Sequence, residues 1–269
     1  MQYGMIIDID KCVGCHACTI ACKAEWEVPA QFGRNWVHRL GPAMTSTGIA
    51  YTFYPGLCNH CDNPPCVDTC PADPVVMEFT DTVTGKTKTM EVAATWKDPF
   101  NGTVQIDKER CMGCGACADA CPYGARYVNP DLADDESEGK ADKCTYCMPR
   151  VAEGLQPACV QTCLAGARIF GDLSDPNSEV SKYVKKGAFG LTSKAVQIGP
   201  NSRYYGTKKG DLELLKAAAP QEMPEANLRR TMLANMVKPA MKSVTNLGMI
   251  GLAGTLLVKS MEEDNDEKK

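Results

Sequence analysis

Sixteen cysteines fall into four groups of four, and none is left over. The first group is Cys12, Cys15, Cys18 and Cys22, and the second Cys58, Cys61, Cys66 and Cys70. The third is Cys111, Cys114, Cys117 and Cys121, and the fourth Cys144, Cys147, Cys159 and Cys163. Groups one and three run C-x2-C-x2-C-x3-C, the spacing that binds cubane iron-sulfur clusters in bacterial two-cluster ferredoxins. Groups two and four repeat the idea with a longer gap inside. A cubane presents four iron corners; a short loop wraps three of them and turns backbone N–H groups toward the sulfides, so the fourth thiolate must come from elsewhere. The cysteine after the x3 gap is placed to reach a neighbouring cluster, which makes the motifs work in pairs. Four groups therefore predict four 4Fe-4S clusters.

Other uses of cysteine fit less well. An even count would suit disulfides, but the regular i, i+3, i+6, i+10 pattern argues for metal. Zinc sites take four ligands as two separated pairs, whereas here three cysteines recur within seven residues. The three histidines, His16, His38 and His60, do not make the second half of a Rieske site. His16 and His60 lie inside cysteine loops and read as surface residues or hydrogen-bond donors that tune a cluster.

The elements that must position these loops are legible in outline. Met5–Cys15 and Thr103–Cys114 are copies of one unit, a short β-rich run, a polar turn and a cysteine loop. After Cys121, Pro122-Tyr-Gly-Ala-Arg-Tyr-Val128 reads as a loop returning into a strand. Residues 75–92, with Thr84-Gly85-Lys86 at the centre, predict a hairpin. Residues 129–139 are acidic and polar and predict a solvated loop. Asn101-Gly-Thr103 matches a glycosylation acceptor but is read as a turn.

The 269 residues carry enough apolar side chains for an ordinary core, so no disulfide scaffold is required. A net charge of -4 and a pI near 5.5 exclude the electrostatic footprint of a nucleic-acid binder. The first residues lack a basic region, a long apolar run and a small-residue cleavage site, so no signal peptide is expected. Residues 171–224 are punctuated by Gly, Pro and Ser and predict an extended wrap over a partner or over the core. Beyond Pro224, residues 225–242 predict a helix kinked at Pro239. Ser243–Val258 then runs for sixteen residues without a charge, with Gly248, Gly251, Gly254 and Thr255 forming a small-residue side, before an acidic tail. That length falls just under the spanning range of about 17 to 25 residues. Membrane contact and docking against a soluble surface both stay open, the glycines favouring close approach to another helix.

With these motifs in hand, the chain resembles the iron-sulfur electron-transfer (beta) subunit of the DMSO reductase family of molybdopterin oxidoreductases. The resemblance covers roughly residues 1–175. Its carriers are Cys12-Val-Gly-Cys-His-Ala-Cys18, Leu57-Cys-Asn-His-Cys-Asp-Asn-Pro-Pro-Cys66, Lys143-Cys-Thr-Tyr-Cys-Met-Pro-Arg150, Pro157-Ala-Cys-Val-Gln-Thr-Cys163 and Gly171-Asp-Leu-Ser-Asp-Pro176. Cys114 is present where some relatives replace a group-three cysteine, so four complete cubanes are implied. Proline follows the last cysteine in groups two and three (Pro71, Pro122), but Lys23 and Leu164 stand in the other two.

The resemblance implies an α+β chain: a tandem ferredoxin-like, double two-cluster domain over 1–175 with inserted hairpins, a partner-wrapping segment over 176–224 and a C-terminal helical extension over 225–269. It implies crossed ligand sets as well. Cys12, Cys15, Cys18 and Cys163 would hold the cluster nearest the catalytic subunit, and Cys144, Cys147, Cys159 and Cys22 the next. Cys58, Cys61, Cys66 and Cys121 would hold the third, and Cys111, Cys114, Cys117 and Cys70 the one facing the membrane. Such subunits do no substrate chemistry and take no small-molecule substrate of their own. They relay electrons between a molybdopterin-containing catalytic subunit and an integral membrane, quinone-reactive subunit of an anaerobic respiratory complex. The expected place is a membrane surface reached through partners, on the cytoplasmic face or, co-exported with a signal-bearing partner, on the periplasmic face. The rival reading is a freestanding polyferredoxin serving soluble redox enzymes, which would have little use for the long extension after residue 171.

Overall fold

The structure is a computed structural model; it describes residues 1–81, 84–134 and 138–224. The helices expected within 225–269 lie outside the described residues. Among the described residues no helix is long and apolar enough to cross a membrane.

The chain is a mixed α and β fold of short elements strung between cysteine loops. Strand β1 (Tyr3–Asp8) leads into the first loop, and helix α1 (Ala17–Trp26) leaves it. Next come β2 (Asn35–Thr45) and β3 (Gly48–Leu57), a long antiparallel pair, and helix α2 (Pro65–Asp68). Strands β4 (Val75–Thr80) and β5 (Thr87–Val92) pair antiparallel where a hairpin is expected. Strands β6 (Thr95–Lys97) and β7 (Val104–Ile106) form a second small pair, with Asn101 in the turn between them. Helix α3 (Ala116–Asp119) precedes β8 (Arg126–Asn129), which pairs antiparallel with β9 (Lys140–Lys143). Helices α4 (Met148–Ala152) and α5 (Ala158–Gln161) bracket the gap in the fourth group, and β10 (Arg168–Asp172) follows.

The segment after Asp175 carries regular elements rather than an extended run: α6 (Glu179–Lys185), β11 (Phe189–Gly190), β12 (Ser202–Tyr205) and α7 (Lys209–Ala217). The main sheet has the order β10-β1-β12-β11. Its centre is the strand that enters the first cysteine loop. Met5, Ile6 and Ile7 of β1 are fully buried, because β10 pairs along one edge and β12 along the other. Burying three such side chains contributes on the order of 1.5 to 3 kcal/mol each before the entropy of ordering them.

Helices α2 to α5 are short for a local reason. Each begins on or beside a cysteine loop, where the backbone has to turn, and none has a side-chain N-cap. By contrast α6, away from the cysteines, is capped by Ser178, whose Oγ accepts from the Ser181 amide at 3.1 Å.

Candidate metal centres

The four loops share one backbone signature. The residue two places after the first cysteine has a left-handed conformation in every group: Gly14 (φ 68°), His60 (φ 44°), Gly113 (φ 65°) and Tyr146 (φ 54°). That conformation swings successive N–H groups to one side, forming the concave nest that anions and sulfide-bearing clusters occupy. Glycine adopts it freely, whereas His60 and Tyr146 cost about 1 to 2 kcal/mol each. Tertiary packing holds them there: both are fully buried, and their rings stack on each other with centroids 3.8 Å apart. At Gly14 a Cβ would come within 2.3 Å of the Phe53 ring, so space as well as backbone demands glycine.

Cysteines of different groups come together in the folded chain. Cys12, Cys15, Cys18 and Cys163 line one cavity together with Arg168, Val37 and Pro55. Cys70, Cys111, Cys114 and Cys117 line another with Thr95, Ala72 and Ala141. Burial pushes the Cys22 thiol up to about 12, and the charges that add most to this are those of Cys159 and Cys147. Burial likewise drives the Cys61 thiol up, with Cys58, Cys121 and Cys66 adding to it. Among the described residues no three Cys, His, Asp or Glu side chains converge on a point to hold a single ion. A mononuclear zinc site would bring its thiolates to about 4 Å of one another, given Zn–S bonds of about 2.3 Å. The thiols here line cavities in the protein.

Those spaces suit an anionic cluster. Arg126, Lys143 and Arg168 are buried, and Nε and Nη2 of Arg126 and Nη2 of Arg168 have no hydrogen-bond partner among the described residues. Buried guanidinium donors are costly to leave unpaired, so they call for an acceptor that cluster sulfide supplies. Backbone amides already reach several sulfurs: Tyr146 N donates to Cys144 Sγ at 3.4 Å, Ala141 N to Cys111 Sγ at 3.3 Å and Ala167 N to Cys163 Sγ at 3.3 Å. The Trp26 indole donates to Cys147 Sγ at 3.3 Å. Ligation requires thiolate, so thiols raised by burial, such as Cys22 and Cys66 at about 12, release protons when metal binds.

Positions that depart from the usual proline also find roles. Lys23 turns its Nζ onto the carbonyls of Pro29, at 2.8 Å, and Phe32, closing the loop after α1. Leu164 is exposed. Of the three histidines, His60 accepts from the Val104 amide through Nδ1 at 2.9 Å, and its burial lowers its pKa so that the ring stays neutral.

The chain is similar to known iron-sulfur proteins. A family model for a 4Fe-4S dicluster domain matches residues 49–173, and one for a 4Fe-4S binding domain matches residues 9–25. A tetrathionate reductase subunit of Salmonella typhimurium is 39% identical over 181 residues, covering 67% of this chain and 62% of that protein. The thiosulfate reductase electron transfer subunit of Salmonella typhi is 40% identical over 185 residues, covering 68% of this chain and 81% of that one. The arsenate respiratory reductase iron-sulfur subunit of Shewanella sp. (strain ANA-3) is 34% identical over 228 residues, covering 69% and 88%. The chain belongs to the iron-sulfur electron-transfer subunits of the DMSO reductase family of molybdopterin oxidoreductases. It spans about three fifths of the length of the tetrathionate reductase relative.

For an electron-transfer subunit of a reductase complex, the cysteines are the part of the site visible in sequence. Arg126, Lys143, Arg168, Tyr146 and Trp26 carry no comparable mark. One signal exists for two of them: Cys121-Pro-Tyr-Gly-Ala-Arg126 and Cys163-Leu-Ala-Gly-Ala-Arg168 repeat the same turn.

Proposed function

We propose that this chain is a non-catalytic relay that carries four 4Fe-4S clusters and passes electrons between a molybdopterin-containing catalytic subunit and a quinone-reactive membrane subunit. The clusters would be held by Cys12, Cys15, Cys18 and Cys163; by Cys144, Cys147, Cys159 and Cys22; by Cys58, Cys61, Cys66 and Cys121; and by Cys111, Cys114, Cys117 and Cys70. When bound they supply one-electron storage. The protein's part is to fix their order, exclude water and tune their potentials.

The observation that carries this reading is the graded burial of the thiols. In the first set Cys15 is exposed and Cys12 and Cys163 are half-buried; in the last, Cys70, Cys111 and Cys114 are half-buried. In the second set all four are buried, and in the third all but Cys121. A wire needs two ends that reach partners and a middle closed to solvent. Apolar side chains stand out at both ends: Val13, Ile20 and Leu164 beside the first set, and Val76 just beyond Cys70. Such exposed apolar surface marks docking sites. A tandem double-ferredoxin plan, with groups one and four forming one half and groups two and three the other, accounts for this order. The uncharged stretch of residues 243–258 would attach the chain to the membrane subunit.

The test is anaerobic purification of the intact complex, with iron, acid-labile sulfide and molybdenum counted per chain. About sixteen iron and sixteen sulfide on this chain, alongside a molybdenum-bearing partner, is the expected result. Zinc in place of iron, or full-length chain that elutes alone and reduces soluble enzymes as well as the complex does, would overturn the reading.

A further inference from the structure

We propose that Arg168, Lys143 and Arg126 are charge spacers, one buried cation in each of the three gaps along the four-site chain, that keep neighbouring clusters reducible in sequence. The proposal rests on the four-cluster reading above. All three side chains are nearly inaccessible, at 4%, 0% and 5% of their surface. Among the described residues none forms an ion pair with a carboxylate. Nearby buried charges elsewhere are handled differently: Asp142 receives both Arg34, at 2.9 Å, and Lys108, at 2.7 Å.

Placement distinguishes the three. Arg168 lines the cavity of Cys12, Cys15, Cys18 and Cys163, and its Nη1 lies 4.0 Å from Cys159 Sγ of the next set. It therefore faces the first two sets at once. Lys143 donates to the carbonyls of Cys144, of the second set, at 2.8 Å, and of Val104, which packs with Cys66 of the third set. Burial lowers its pKa, and charge on Cys58, Cys144 and Cys66 acts the other way. Arg126 points Nη1 at Thr95 Oγ1, 3.4 Å away in the wall of the last cavity. Cys66 and Cys117, of the third and fourth sets, pack in one cluster beside it, and charge on Cys66, Cys117 and Cys58 would hold the guanidinium charged against the effect of burial.

The two arginines are delivered by one device. Gly124 and Gly166, at φ 60° and 59°, turn the chain after Cys121 and Cys163, and the arginine just past each turn opens β8 or β10. Lys143 closes β9, immediately before the fourth group begins. Successive anionic clusters disfavour each other's reduction, since each added electron raises negative charge in a medium of low dielectric. A fixed cation between two of them lowers that penalty for both.

Removal of one spacer is therefore expected to mark two adjacent clusters and spare the other two. In the full chain within its complex, redox titration followed by electron paramagnetic resonance should show Arg168→Gln lowering the first and second potentials. Lys143→Met should lower the second and third, and Arg126→Gln the third and fourth. The expected size is about a tenfold shift of the reduced-to-oxidised ratio at fixed ambient potential, or 59 mV for one electron. Arg126→Lys and Arg168→Lys keep the charge and should keep the wild-type potentials. Iron analysis accompanies each titration. A wild-type chain with fewer than four clusters would sink the underlying reading rather than the spacers. Four clusters with unmoved potentials, or a shift confined to one cluster, would overturn the spacers alone. If a neutral variant loses a cluster, its charge-conserving variant (Arg126→Lys, Arg168→Lys or Lys143→Arg) decides: wild-type potentials with full iron support the role of charge, and shifted potentials refute it.

Discussion

The enclosed middle of the chain and its two exposed ends are built from the same cysteine loops, yet their surroundings differ. Around the second and third sets, segments remote in sequence close over the loops. Asn201 donates its side-chain amide to the His60 carbonyl at 2.9 Å and its backbone amide to the Asn59 carbonyl at 2.8 Å. Tyr146 lies between His60 and Phe170 and bonds Ser202 at 2.8 Å. Around the first set nothing comparable covers Cys15, and Ile20 and Leu164 face outward. Loop chemistry thus sets what can bind, and the long-range cover sets whether solvent and partners can approach it.

The largest effect that would sharpen this comparison is expected in the middle. Tyr146→Ala removes a fully buried ring and its hydrogen bond, and should cost about 3 to 5 kcal/mol in denaturant unfolding, the range for large aromatic truncations in cores. A loss as small as that of a surface change would show that the cover is not a packed core.

A smaller effect is expected at the first loop. Gly14→Ala meets both a left-handed backbone and the Phe53 ring, and a cost of about 1 to 3 kcal/mol follows. Iron analysis should show one cluster depleted and three retained. Equal loss from all four would contradict the separateness of the sites.

The smallest effect on folding belongs to the exposed end. Ile20→Ser, at a side chain 64% exposed, should change stability by under about 0.5 kcal/mol. It should still weaken retention of the catalytic subunit during size-exclusion chromatography of the complex. Unaltered retention would remove Ile20 from the docking surface.

Much of the molecule is written locally. The cysteine count, the four groups, the β-run before Cys12 and Cys111, the strand after Cys121 and the pairing of residues 75–80 with 87–92 all depend on neighbours within a few residues, which is why spacing alone reveals them. Gly, Pro and Ser punctuate the segment after Asp175 and predict an extended run. Instead β12 runs parallel to β1, a pairing across nearly two hundred residues that no local pattern encodes. The same limit hides the buried cations. A lone Lys143 or Arg126 in a sequence is by default a solvated charge. Only the approach of two cysteine groups from distant segments turns it into a buried one with thiols on either side. Spacing therefore determined which atoms were available to bind metal. Tertiary structure decided which thiols meet, which are sealed and what charge lies between them, because dielectric and solvent access are properties of the packed chain and not of any segment in it.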